Sequence, residues 1–248
     1  MRVRVAAGVR LAGPAALFFG GERNGFALAR REARGFAAGM EALVIVVLGL
    51  GVMAGFIMLS IRAHRQGLAN LAALADRIGL QVVRGKRVLG WEQHRLEGRL
   101  QGRQVRVWTY TTGTGKSRKQ WIAAGVATPA ASDVVFELRA QGVLTKLSEL
   151  FGAKEIRIGE PRFDAEWFIV TNRPVEFAAA LLPEIQLKLN AARAAGAHGV
   201  FARKDGWVTF VEPGSFSRSM AVAHLESALP VLIDLADVAD VCAARTPR

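Results

Sequence analysis

The stretch Thr111-Thr112-Gly113-Thr114-Gly115-Lys116-Ser117-Arg118-Lys119-Gln120-Trp121 decides the fold class. Read as a phosphate-binding loop, it would join a strand to a helix in a parallel α/β protein. Read as a hairpin tip, it belongs to an antiparallel sheet. The phosphate loop requires glycine five residues before Gly115, and that position holds Tyr110. Before the loop, Val105, Val107 and Thr109 alternate with Arg106, Trp108 and Tyr110, the period-2 pattern of a strand. After it, Trp121-Ile122-Ala123-Ala124-Gly125-Val126-Ala127 carries no N-cap and no acidic first turn, which predicts a returning strand. The sequence therefore predicts a β-hairpin with a basic tip.

Further strands follow the same logic. Leu80 to Arg84 and His94 to Leu100 precede the hairpin, the second joined to it through Gln101-Gly102-Arg103, and Val134 to Arg139 comes after it. Together they predict an antiparallel meander of four or five strands. Gly142 to Phe151 reads as an amphipathic helix, Ile156 and Ile158 as a short strand, and Trp167 to Thr171 as an apolar strand. Helices are expected over Pro174 to Leu182 and Pro183 to Ala195, each with proline in its first turn. Asp205-Gly206 predicts a tight hairpin between Val200 to Lys204 and Trp207 to Val211. A last helix, about Ser217 to Ala243, is expected to bend or restart at Pro230. The class expected is α+β: an antiparallel sheet packed with helices.

Composition adds a second theme. The hydrophobic share of 51% and mean hydropathy of +0.23 are high for 248 residues with a net charge of +12. Leu43 to Ile61, LVIVVLGLGVMAGFIMLSI, resolves the tension: it is uncharged and about long enough to cross the hydrocarbon core as a helix. It ends in Ser60-Ile61-Arg62-Ala63-His64-Arg65 rather than at a small-residue cleavage site, which predicts an anchor that stays. The segments expected are an N-terminal extension over 1–39, poorly ordered or wrongly included, a transmembrane helix over 42–62, a juxtamembrane helix over 63–79 and a soluble domain over 80–244. The extension holds seven arginines and no lysine, so a start at Met40 rather than Met1 removes Arg23, Arg30, Arg31 and Arg34 from the N-terminal flank. Arg62, Arg65 and Arg77 then favour an inside C-terminus. The expected location is the bacterial cytoplasmic (inner) membrane, single-pass, with the domain in the cytoplasm. Gly51 and Gly55 match the close-packing helix dimer pattern and leave room for a homo-oligomer.

No catalytic constellation emerges. His64, His94, His198 and His224 are scattered singly, without metal-ligand spacing. Pro213-Gly214-Ser215-Phe216-Ser217 lacks the nucleophile elbow, and Cys242 has no nearby histidine in sequence. Asp164 and Glu166 pair only formally. Asp164 stands before a strand, where closing a turn or pairing with Arg162 or Arg173 is the expected role. No catalytic residue, metal or cofactor is assigned.

The surface candidates for binding are Lys116, Arg118 and Lys119 at the hairpin tip with Arg106, Trp108 and Trp121 nearby; Arg84, Lys86, Arg87 and Arg103 extend the patch. Near a cytoplasmic leaflet such cations favour anionic headgroups or an acidic protein. Nucleic acid would use the same groups, but no RNA- or DNA-binding motif accompanies them. The expectation is a non-catalytic interaction or membrane-surface module. The alternatives are a membrane-associated enzyme with a cleft hidden in the sequence, or an envelope assembly protein.

Phe163-Asp164-Ala165-Glu166-Trp167-Phe168-Ile169-Val170-Thr171, followed by Leu181-Leu182-Pro183, a helix and a hairpin, resembles a bacterial family of membrane-tethered proteins of unknown function. Its pattern is F-D-x-x-F-x-V-x-S. Trp167, Ile169 and Thr171 stand here for its second Phe, its Val and its Ser. The resemblance covers roughly Leu96 to Val211 and implies a fold and a membrane location, with no reaction and no catalytic residues.

Overall fold

The computed structural model describes residues 23–88, 91–129, 133–141 and 154–244. The helix expected at Gly142 to Phe151 and the extension before Arg23 lie outside them. The chain divides into two compact units, Met1–Leu59 and Ser60–Arg248.

A single helix, α1 (Arg23–Ile78), begins in the first unit and ends in the second. Within the first unit, Leu43, Ile45, Leu48, Phe56 and Leu59 are each more than 60% exposed. Apolar side chains left bare all round a helix belong in a medium without water. This is the one helix among the described residues long and apolar enough to cross a membrane.

The second unit is α+β. Nine strands, β1 (Gln81–Val88), β2 (Trp91–Leu100), β3 (Arg103–Thr112), β4 (Lys119–Ala127), β5 (Phe136–Ala140), β6 (Lys154–Ile156), β7 (Trp167–Thr171), β8 (Val200–Lys204) and β9 (Trp207–Pro213), form one sheet. The order is β1-β2-β3-β4-β9-β8-β5-β7-β6, with every pair antiparallel. The expected meander holds for β1 to β4, one flank of a larger sheet, whereas β5, expected to continue it, lies instead between β8 and β7. β9 returns from the far end of the chain to pair with β4, setting Ala124 opposite Phe210 and Val126 opposite Val208.

Strand alternation gives the sheet two unlike faces. One carries Leu96, Val105, Val107, Ile122, Ala124, Val126, Phe201, Val208 and Phe210, all at 0% exposure. Helices that follow β7 in the chain cover that face. α5 (Ser219–Ala244) is buried on most sides, and α3 (Pro174–Ala180) and α4 (Pro183–Ala194) pack against it. Aromatic pairs tighten this layer: the ring centres of Phe201 and Phe210 are 4.8 Å apart and those of Phe136 and Phe177 4.9 Å, the spacing that favours tilted rings.

The last turns of α1 join the same core. Leu71, Leu74 and Ala75 are buried, Asn70 donates to the Phe216 carbonyl at 2.7 Å, and Arg77 reaches Glu226 of α5 at 2.8 Å. Gly79, at φ +71, ends the helix in the left-handed conformation that suits glycine.

The sequence offers no element for Phe163 to Glu166; α2 (Pro161–Glu166) is a short helix there, capped by the Glu160 side chain, which accepts from Phe163 N–H. Of the bend or restart expected at Pro230, the restart does not occur, since α5 runs through it. Pro230 is exposed, so the Glu226 carbonyl that loses its partner lies on the side open to water.

Candidate functional site

The glycine-rich stretch closes a hairpin, and the chemistry of its backbone explains why it imitates a phosphate loop. Gly113 and Gly115 sit at φ +76 and +55, conformations that L side chains rarely adopt. A Cβ on Gly113 would stand 2.5 Å from the Ser117 carbonyl oxygen. The Ser117 N–H donates to Thr114 O at 3.1 Å and the Arg118 N–H to Gly115 O at 3.3 Å, while Ser117 Oγ donates to Thr114 O at 2.8 Å. These backbone donors close the turn and are turned away from any phosphate.

Lys116, Arg118 and Lys119 project from this tip, all exposed. Among the described residues none of the three makes an ion pair, whereas Arg77, Arg103, Arg173, Arg193 and Lys188 all do. Below the tip, Trp121 donates its indole N–H to Thr112 Oγ1 at 2.7 Å and stacks with Tyr110 at 6.4 Å between ring centres. Burial pushes the Tyr110 hydroxyl above its ordinary value.

The remaining candidates lie elsewhere. Six residues of β4 separate Lys119 from Gly125, about 20 Å along a strand. Around Gly125 the face away from the helices forms a cleft of about 610 Å³. Strand alternation directs Arg95, Glu97, Arg106, Trp108, Trp207 and Thr209 toward it, and Lys204-Asp205 of the β8–β9 turn close one end.

Two of its lining residues, Trp108 and Trp207, meet over position 125, which has no side chain. A Cβ there would meet the Trp108 ring at 3.2 Å and the Trp207 ring at 3.3 Å, so the two indoles converge over the bare backbone. Arg106 lies over Trp207, 4.8 Å from its ring centre, and is 3.3 Å from Glu97, which also binds Arg95 at 2.8 Å. Arg106 and Trp108 thus belong to the cleft, and Lys116, Arg118, Lys119 and Trp121 to the hairpin. Arg103 belongs to neither, because it binds Asp237 and Asp240 of α5 at 2.5 Å each.

Asp164 closes a turn, one of the two roles expected for it, and Glu166 binds an arginine. Asp164 accepts the N–H groups of Ile158 at 2.8 Å and Gly159 at 2.9 Å, closing the turn before α2. Glu166 pairs with Arg193 at 3.3 Å, and Arg173 turns to Asp133 at 2.6 Å. Among the described residues no group of three or more metal-ligating side chains assembles. Cys242 is buried in α5.

One titratable pair escaped the sequence reading. Glu212 of β9 is 5% exposed and its Oε1 lies 3.0 Å from His224 Nδ1 of α5. Burial raises the Glu212 carboxyl above its ordinary range, against the pull of His224. Gly196, at φ +99, leaves room for that imidazole: a Cβ there would lie 2.4 Å from Nε2. Glu212 sits in an otherwise ordinary strand, and only the pairing of β9 under α5 reveals it.

No family profile matches the chain, and no curated protein matches it at a significant level. Among solved structures, the mycobacterial trehalose monomycolate transport factor A, TtfA, shows a distant likeness: 12% identity and a TM-score of 0.48, over 72% of this chain and 95% of that one. A likeness at that level carries no argument about what this chain binds or does. In the F-D-x-x-F-type stretch, Phe163, Trp167, Ile169 and Thr171 are core, while Ala165 and Glu166 are exposed. Phe163 and Trp167 are buried and stacked, and the Trp167 indole N–H donates to Asn190 Oδ1 at 2.7 Å.

Proposed function

We propose that this chain is a single-pass membrane protein whose domain is a non-catalytic binding module at the inner face of a bacterial cytoplasmic membrane. Its hairpin tip engages anionic lipid headgroups. The observation that carries this reading is the contrast in pairing. Arg77, Arg103, Arg173, Arg193 and Lys188 have carboxylate partners, while Lys116, Arg118 and Lys119 stand together at one tip, exposed and, among the described residues, without one. Tethering keeps them close to a bilayer at all times. Each contributes about 1 kcal/mol near an anionic leaflet, so three favour contact roughly 100-fold.

The test uses the full chain in nanodiscs, with an environment-sensitive fluorophore on Gln120→Cys beside the tip. Discs containing phosphatidylglycerol should shift the emission relative to phosphatidylcholine discs. The shift should fade as salt is raised and vanish in K116E/R118E/K119E. Identical emission in both lipids removes the hairpin from membrane binding and leaves an acidic protein as its partner.

A further inference from the structure

The cleft over Gly125 is independent of the hairpin reading and carries its own proposal. We propose that it is a binding site for a saccharide, either free or borne as the headgroup of a lipid.

Three features lead there. The first is size and lining: about 610 Å³ lies within the range of small-ligand sites, and its lining includes two indoles meeting over a glycine. Arg106 lies over the Trp207 ring, so it is the Trp108 indole whose flat, electron-rich face complements the slightly positive C–H face of a sugar ring. The second is the mixture of charge on its walls. Guanidinium and ammonium groups only donate hydrogen bonds, and carboxylates only accept them. A sugar hydroxyl does both, so Arg95 and Arg106 beside Glu97, with Asp205 at the turn, offer both kinds of partner to a neutral polyol.

The same arrangement disfavours an anion. Glu97 stands 2.8 Å from Arg95 and 3.3 Å from Arg106, so a phosphate approaching those guanidiniums meets a carboxylate already between them. The third feature is preorganisation. Arg106 is held from two sides, by Glu97 and by the Trp207 ring at 4.8 Å, so little side-chain freedom is lost when a ligand arrives.

The experiment uses the full chain in phosphatidylcholine nanodiscs, which bring no sugar of their own. Maltose and chitobiose are the free probes, read by saturation-transfer NMR from the aromatic protons. Discs doped with digalactosyl diacylglycerol, read by quenching of tryptophan fluorescence, are the lipid-linked probe, and inorganic phosphate is the anionic control. The expected result is saturable binding of a saccharide probe, weakened about tenfold or more by Trp108→Ala. Response to the doped discs alone assigns the lipid-linked source, and response to maltose or chitobiose assigns the free one.

Because Trp108→Ala also removes packing over Gly125, Glu97→Gln provides a second reading. It removes a charge from a partly exposed position and leaves saccharide binding unchanged or weaker. It tightens any phosphate site by lifting repulsion. Absence of saturable binding by all three saccharide probes up to about 50 mM overturns the proposal, since affinity weaker than that is not recognition. So does phosphate binding that strengthens in Glu97→Gln.

Discussion

Gly125 shows how one missing side chain shapes a surface. Its strand position favours a β-branched residue, yet any Cβ would lie 3.2 Å from the Trp108 ring and 3.3 Å from the Trp207 ring. Gly125→Val should push both indoles outward and cost about 1–3 kcal/mol of stability. A lowered thermal midpoint with red-shifted tryptophan emission is the expected signature. At Gly113 the penalty is conformational: φ +76 and the Ser117 carbonyl at 2.5 Å predict that Gly113→Ala costs at least about 1 kcal/mol and loosens the tip, seen as faster amide exchange at Ser117 and Arg118. Glu212 gives a pH signature. Its folded carboxyl is raised by burial, so the folded state holds that proton to higher pH than the unfolded chain does. Stability from this group is present below the unfolded carboxyl value and falls as pH rises through the folded one. Thermal melts over the acidic range should show that decline in the native chain and a flatter profile in Glu212→Gln. The turn glycines and the hairpin were legible in sequence because their signals are local. Glu212 was not, since an acidic residue in a strand announces nothing until a helix covers it.

At the scale of elements, the end of α1 matters most. Leu71 and Leu74 are 1% and 0% exposed, so the helical stretch 63–79 supplies core to the sheet domain as well as a connection to the span. Leu74→Ala should cost about 2–5 kcal/mol, and a fragment beginning at residue 80 should be cut by protease far faster than one beginning at Ser60. Equal resistance of the two fragments would show that α1 contributes nothing to the core. The span itself carries Gly51 and Gly55 one helical turn apart, with open space beside each. If they pack two copies together, replacing both by leucine abolishes disulfide or chemical crosslinking within the membrane. Most element types could be read from period and turn chemistry. α2 could not, because six residues hold too little periodicity to oppose the strand that follows. The partnership of β4 with β9 also left no trace, since strands some eighty residues apart in sequence pair through tertiary packing rather than a local signal.

At the scale of the whole chain, a net charge of +12 and a long apolar run support the proposal of a domain held at an anionic membrane. The basic tip was visible in sequence as a cluster of adjacent residues. The cleft was not, because its lining comes from β1, β2, β3, β8 and β9, which only the sheet order brings together. The central claim, a tethered domain facing the cytoplasmic leaflet, is tested most directly by dual reporters fused to the C-terminus, in chains starting at Met1 and at Met40. The account predicts that the cytoplasmically active reporter lights up in both. Activity of the exported reporter would place the domain outside the cell and contradict it.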